Sequence, residues 1–203
     1  MERINERDII KYLKESSEPI NGRYGIAYLA STYLVDGTFL PCVAFCNSEP
    51  IVNLAIRRFK EEQAGKGVFG NSKMAYYQIV KTFVAGGNCI NAYDISKVEK
   101  SRFAFSQRVL CQIHGETTMG WTGFVGKMKD GACFGFGSTF NFEFFEMPDG
   151  YQADDITEII NHSYIDNAGE IKSYHSVALE SIDATRLNVY RERPFFTCYL
   201  DGL

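Results

Sequence analysis

The sequence predicts an α+β protein whose sheet is mainly antiparallel, and three observations support this fold class. Two Asp-Gly pairs, at 36–37 and 130–131, each separate two runs of strand-forming residues, which is the pattern of a β-hairpin. The chain of 203 residues contains 16 Phe and 12 Tyr, and aromatic side chains favour pleated sheet. Apolar residues recur at helical spacing in three segments, which predicts helices at 6–15, 49–64 and 154–163. Because no linker or low-complexity segment interrupts the chain, we expect one globular domain over residues 1–203.

The first predicted helix begins after Asn5, a residue type that caps helix N-termini. Acidic residues in its first turn suit the helix dipole. Ile9, Ile10 and Leu13 make one apolar stripe that predicts the buried face.

The Asp36-Gly37 pair predicts a type I′ turn, because both central residues of that turn need positive φ and these two residue types tolerate it. Two-residue pairing then sets Leu34 opposite Phe39 and Ala30 opposite Val43. Both faces of this hairpin are apolar, so we expect cover on both sides. Pro41 cannot donate to a ladder, which predicts an edge or a bulge in the second strand.

The second predicted helix starts near Ser48 and Pro50 and would bury a stripe made of Ile51, Leu54, Ala55 and Phe59. Residues 73–84 fit both a helical stripe and a strand. The run of strand formers at 79–84 favours the strand.

The second hairpin has the strongest local signal in the chain. A type I′ turn at Asp130-Gly131 would set Trp121 opposite Phe140 and Val125 opposite Phe136. Phe residues fall on even positions through 134–144, so we predict a strand with one aromatic face and one small or polar face. Downstream, Ile156, Ile159 and Ile160 predict the third helix, and segments 174–181 and 186–200 predict two or three closing strands.

Charge and cysteine content limit the partners and the compartment. The net charge is −4, with +4 over residues 1–140 and −8 over residues 141–203. This balance disfavours a dedicated nucleic-acid binder. The asymmetry fits two segments that face each other or are simply solvated, or alternatively a dipolar surface that steers a charged partner. Six scattered cysteines without a CxxC pair indicate reduced thiols in the cytoplasm. No segment reaches the ~20 apolar residues of a membrane span, so no membrane partner is expected.

Catalytic candidates are few: His114, Glu116, His162 and His175 could supply acid–base chemistry. Cys111 and His114 lie three apart in what reads as a strand, so their side chains would point to opposite faces. Cys42 and Cys46 would lie about 13 Å apart along a strand, too far to share one zinc ion. The sequence therefore predicts no metal and no cofactor.

Binding candidates come from aromatic and basic residues. The glycine-rich stretch at 115–137 fits no phosphate-binding pattern, but its small-residue face could floor a ligand pocket. We take Trp121, Phe124 and Tyr151 as ligand-binding candidates, and Arg57, Arg58 and Lys60 as anion-binding candidates.

Because no catalytic constellation is present, the first hypothesis is a binding protein that holds a protein partner or a small ligand through an aromatic-lined surface or pocket. One alternative is an enzyme whose site assembles from distant residues around His114, His162 or His175. A further alternative is a nucleotide or nucleic-acid binder that uses Arg57, Arg58 and Lys60. A homo-oligomer is also compatible with the two apolar faces of the first hairpin.

Overall fold

The computed structural model describes residues 1–22, 25–66, 73–174 and 188–203, and the α+β class is confirmed. Its α-helices are α1 (Glu6–Ser16), α2 (Ser48–Gln63), α3 (Lys73–Ile79) and α4 (Gln107–Leu110). A π-helical turn follows α3 at Val80–Val84, and 3-10 turns occupy Ala92–Asp94 and Ala153–Asp155. The strands are β1 (Ile20–Gly22), β2 (Gly25–Leu34), β3 (Phe39–Asn47), β4 (Cys89–Ile90), β5 (Ile95–Glu99), β6 (Thr122–Met128), β7 (Cys133–Ser138), β8 (Ile156–Asn161), β9 (Ser163–Ile165), β10 (Ile171–Ser173), β11 (Tyr190–Arg191) and β12 (Phe196–Leu200).

The first sheet has the order β1-β2-β3-β12-β4, with β5 also paired to β2. Its pairs are antiparallel except those of β12, which runs parallel to β3 and β4. Helix α1 covers one face, where Ile9 and Leu13 pack with Phe45. On the other face, Leu29 and Ala44 pack with Phe144. The prediction that the first hairpin is covered on both sides is confirmed, and one chain provides both covers.

The predicted type I′ turn at Asp36-Gly37 is wrong. Gly37 has φ 89°, but Asp36 is not among the residues with positive φ. The Leu34 carbonyl accepts from Gly37 N at 2.9 Å, and Leu34 N donates to the Thr38 carbonyl at 2.8 Å. This is a three-residue loop, a type I turn followed by glycine in a bulge.

The longer loop shifts the register of the first hairpin by one near the turn, so Phe39 pairs with Tyr33 instead of Leu34. A bulge on β3 between Leu40 and Val43 then compensates, and Ala30 pairs with Val43 as predicted. Pro41 lies in this bulge. The pairing of β3 with β12 begins only at Val43, so Pro41 lies beyond it, in the bulge that accommodates the proline.

The second sheet has the order β11-β7-β6-β8. Its hairpin repeats the same turn, with Gly131 at φ 89° and Met128 N donating to the Ala132 carbonyl at 2.8 Å. Phe136 therefore pairs with Phe124 and not with Val125, and no later bulge restores the predicted register. Strand β7 ends at Ser138, so the predicted Trp121–Phe140 pair is not formed.

The predicted helix at 154–163 is wrong, because this segment forms a 3-10 turn and then β8. Met128 pairs with Ile156 and Lys127 with Glu158, which leaves Thr157 as an extra residue in a bulge. The bulge moves the alternation by one position. Two isoleucines three residues apart, Ile156 and Ile159, consequently face the same core.

The predicted strand at 73–84 is also wrong, because α3 and the π-helical turn occupy it. Tyr76 packs its ring 5.8 Å from that of Phe59 on α2, so helix–helix packing overrides the local strand propensity. The bounds of α2 agree with the prediction, but its buried stripe does not. Only Ile51 is buried, while Phe59 is exposed.

Two of the predicted closing strands are confirmed as β11 and β12, and segment 175–181 lies outside the described residues. In the described part of the chain, no helix combines the length and the apolar character that a membrane crossing requires.

Candidate functional site

A cavity of about 420 Å³ lies where β1, at the edge of the first sheet, meets the start of β6 in the second. We call it the groove. Cavities of this size fall within the range that holds small ligands. It is lined by Ile20, Asn21, Leu110, Ile113, Gly115, Glu116, Thr122, Phe140, Phe142 and Glu143.

One wall of the groove is the segment that follows α4. Asn161 on β8 holds this segment with both atoms of its amide: its Nδ2 donates to the Gln112 carbonyl at 2.7 Å, and its Oδ1 accepts from His114 N at 2.9 Å. At the other end of α4, Gln107 Oε1 accepts from Asn21 N at 2.7 Å and ties the helix to β1. The Asn161 bonds hold the segment around Ile113 against the second sheet, and the Gln107 bond joins α4 to the first sheet.

The opposite wall is the segment that follows β7. Ser138 Oγ donates to the Asn141 carbonyl at 2.6 Å and accepts from Phe140 N at 3.1 Å, which turns the chain out of the sheet. Phe140 consequently stands at the rim with 84% of its surface exposed. Phe142 N donates to Glu143 Oε2 at 3.0 Å, which orients the Glu143 carboxylate.

The groove combines apolar walls with negative charge. Its charged lining residues are Glu116 and Glu143, and none of the ten lining residues is basic. Within the described parts of the chain, neither carboxylate forms an ion pair. Because carboxylates beside low-dielectric walls attract positive charge strongly, the groove is suited to a cation with an apolar part.

His162 lies beside the groove wall that follows α4 and has an uncommon backbone conformation. Its φ of 52° is the only positive φ of a non-glycine residue in the part of the chain that the structure describes. A Cβ on Gly115 would lie 3.5 Å from the His162 ring, so the imidazole borders the groove at this glycine. Its Nδ1 lies 3.3 Å from Thr117 Oγ1. Gly123 N donates to the same hydroxyl oxygen at 3.0 Å. Such backbone strain clusters at functional sites.

The structure therefore brings two of the four catalytic candidates to the groove. Glu116 lines it and His162 borders it, whereas His114 is exposed and contributes its backbone N–H to the wall. His175 lies outside the described residues. The predicted strand around Cys111 is replaced by α4, and Cys111 Sγ accepts from Gln107 Nε2 at 2.9 Å.

The three aromatic candidates do not line the groove. Trp121 and Phe124 are fully buried, and Tyr151 packs edge-to-face with Phe134 while its hydroxyl donates to Asp130 Oδ2 at 2.7 Å. The glycine face of the second hairpin is filled by the chain itself. A Cβ on Gly137 would overlap the Trp121 ring, and one on Gly123 would lie 2.6 Å from Tyr174.

The basic candidates lie on α2 and do not line the groove. Arg57 and Arg58 each form an ion pair with Glu61, at 3.9 and 3.4 Å, and Lys60 is exposed. Anion binding by these three residues stays a prediction. Among the described residues, no group of three or more His, Cys, Asp or Glu side chains could hold a metal ion.

Sequence reasoning missed Glu143 and the two rim aromatics. Phe140 and Phe142 continue the period-2 pattern of β7, and this pattern predicts that both lie in the strand. The signal that could have separated them is Ser138-Thr139-Phe140-Asn141, in which Ser and Asn are turn formers.

Comparison of the chain with protein-family models, with curated proteins and with solved structures yields no match in any of the three.

Proposed function

We propose that this protein binds a cationic ligand with an apolar or aromatic part, either a small amine or a basic side chain of a peptide, in the groove between its two sheets. The observation that carries the proposal is the pair of carboxylates, Glu116 and Glu143, in a cavity whose lining has no basic residue. The proposal retains the hypothesis of an aromatic-lined pocket and specifies in addition that the ligand is positively charged.

The aromatic residues support the same ligand class. Phe140 stands exposed at the rim, and Phe142 lines the groove together with it and Glu143. A ring face attracts an ammonium or guanidinium group, more strongly when the site excludes water. A ligand with an apolar body would cover the exposed phenyl ring, and removing this apolar surface from water would stabilise the complex.

Calorimetry with phenethylammonium as the probe tests the proposal. We expect Glu116→Gln and Glu143→Gln each to weaken binding by about tenfold, because each removes one charge-assisted contact. The control is Glu15→Gln, which removes an exposed carboxylate on α1 that does not line the groove. Equal affinities for wild type and both groove variants would refute the proposal.

A second function is an enzyme that acts on the ligand of the same groove. The observation that favours it is His162, a strained residue whose imidazole meets Thr117 and borders the groove. A histidine in this place could move a proton to or from a bound ligand. If turnover of a groove ligand is found, His162→Gln should abolish it and His114→Gln should not; the reverse result would exclude this role.

The cytoplasmic location is part of the same proposal. All six cysteines are free thiols, and free thiols persist in reducing compartments.

A further inference from the structure

Helix α2 carries an apolar stripe that is largely exposed. Val52, Ile56 and Phe59 follow the spacing i, i+4, i+7, so they lie on one face. Their exposed fractions are 49%, 47% and 37%. Tyr76 of α3 extends this surface, since its ring lies 5.8 Å from that of Phe59. A contiguous exposed apolar surface on a helix is typical of an interaction site.

The charges beside the stripe have an order that suits a second copy of the same helix. At 100° per residue, Glu49 lies roughly 60° and Lys60 roughly 80° from Val52, both turned in the same sense. The two charges therefore share one flank of the stripe, with the acid near the N-terminus and the base near the C-terminus. Both side chains are exposed, and neither forms an ion pair with another described residue.

In an antiparallel helix pair related by a two-fold axis, a given flank faces the same flank of the other helix, with its order reversed. Glu49 would then face Lys60 of the second copy, and Lys60 would face its Glu49. The midpoint between these positions lies between Val52 and Ile56, so the stripes of the two copies interleave around the axis. A parallel pair would oppose unlike flanks and would lose both contacts.

We propose that the chain forms a two-fold symmetric homodimer through an antiparallel pair of α2 helices, with the Val52–Ile56–Phe59 stripe at its centre and two Glu49–Lys60 pairs at its ends. The interface is isologous, so each residue has its counterpart across the axis. It is distinct from the first hairpin, whose two apolar faces are already covered within one chain.

Sedimentation velocity over a range of protein concentrations tests the proposal, with charge reversal as the probe. We expect Lys60→Glu and Glu49→Lys each to raise the dimer dissociation constant by at least about tenfold, because each places two pairs of like charges in contact. The double variant should restore the wild-type value. An equimolar mixture of the two single variants should form a heterodimer, since every opposed pair in it is again Glu with Lys.

Lys11→Glu is the matched control, because it reverses an exposed lysine on α1 and should leave the dimer unchanged. Circular dichroism verifies that each variant keeps its helices. A wild-type chain that is monomeric at every concentration would overturn the proposal, as would a dimer that is insensitive to both single reversals. A monomer that co-sediments with phosphatidylserine vesicles would assign the stripe to a membrane surface and would equally overturn it.

Discussion

At the scale of single residues, packing around Trp121 explains two glycines of the second hairpin, Gly123 and Gly137. A methyl group on Gly137 would overlap the indole, and one on Gly123 would lie 3.0 Å from Trp121 Nε1. The indole of Trp121, the only Trp of the chain, therefore packs directly against the backbone of the sheet at these glycines. Arg191 stacks over the same ring, 4.9 Å from its centroid.

Gly137→Ala should consequently destabilise the protein by about 1–3 kcal/mol, the usual cost of overpacking a core. Urea unfolding measures this change. Gly87→Ala is the control, since a Cβ there has open space and the backbone does not need positive φ. A Gly137 variant as stable as the Gly87 variant would show that Trp121 does not pack on this face.

Three cysteine thiols make the free energy of unfolding depend on pH in the alkaline range. Burial raises the pKa of Cys42 and of Cys46 to about 11, and that of Cys198 to about 12, from an ordinary value of 9.0. Because these pKa values are higher in the folded protein, the unfolded chain loses protons first above pH 9. Stability contributed by the neutral thiols is therefore complete below pH 9 and falls as pH rises toward 12.

For Cys198 alone, we expect the loss of unfolding free energy between pH 9 and pH 11 to approach about 1.4 kcal/mol per pH unit. Urea unfolding at several pH values measures it, and Cys198→Ala should show a shallower decline than wild type over the same range. Parallel declines in the two proteins would mean that Cys198 does not stay neutral when folded.

At the scale of elements, the sequence located both hairpin turns but not their type. Asp-Gly is common to the two-residue type I′ loop and to the three-residue loop with a glycine bulge. The structure shows the second form in both hairpins, with Asp36 and Asp130 each accepting from the backbone N–H two residues on. Loop length sets the register of a hairpin, so a loop that is one residue longer than predicted shifts the adjacent strand pairing by one residue.

Gly131→Ala tests this turn. We expect it to cost about 1–2 kcal/mol of unfolding free energy, because φ at this position is 89° and a Cβ is strained there. Gly131→Asn should cost less, since Asn adopts this conformation more readily. Thermal unfolding compares the two variants, and equal stability for Ala and Gly would be incompatible with the bulge.

The same scale explains the segments whose type the sequence misassigned. In β8, a bulge at Thr157 makes a strand carry apolar residues at a spacing of three, which imitates a helix. At 73–84, strand-forming residues are helical, and the segment packs on α2 through Tyr76 and Phe59. Local pattern reports neither a bulge nor a neighbour, so these segments could not be assigned from sequence alone. By contrast, α1 follows from its own cap and stripe, with Asn5 Oδ1 accepting from Asp8 N at 2.9 Å.

At the scale of the whole molecule, the groove lies where the edge strand β1 of the first sheet meets the segments that precede β6 and follow β7 in the second. Its lining comes from four separate parts of the chain, between Ile20 and Glu143. Sequence reasoning identified Glu116 and His162 as candidates individually, but their relation to Glu143 depends on tertiary structure. No spacing in the sequence encodes it.

Amide NMR mapping with a matched pair of probes tests the central claim most directly. Phenethylammonium and 2-phenylethanol share an aromatic body and differ in charge. We predict that the cation shifts the amides of residues 20–21, 110–116, 122 and 140–143, that the effect weakens with added salt because exposed carboxylates are screened, and that the alcohol shifts them far less. Equal shifts from both probes, or shifts confined to other parts of the chain, would contradict a groove that selects cations.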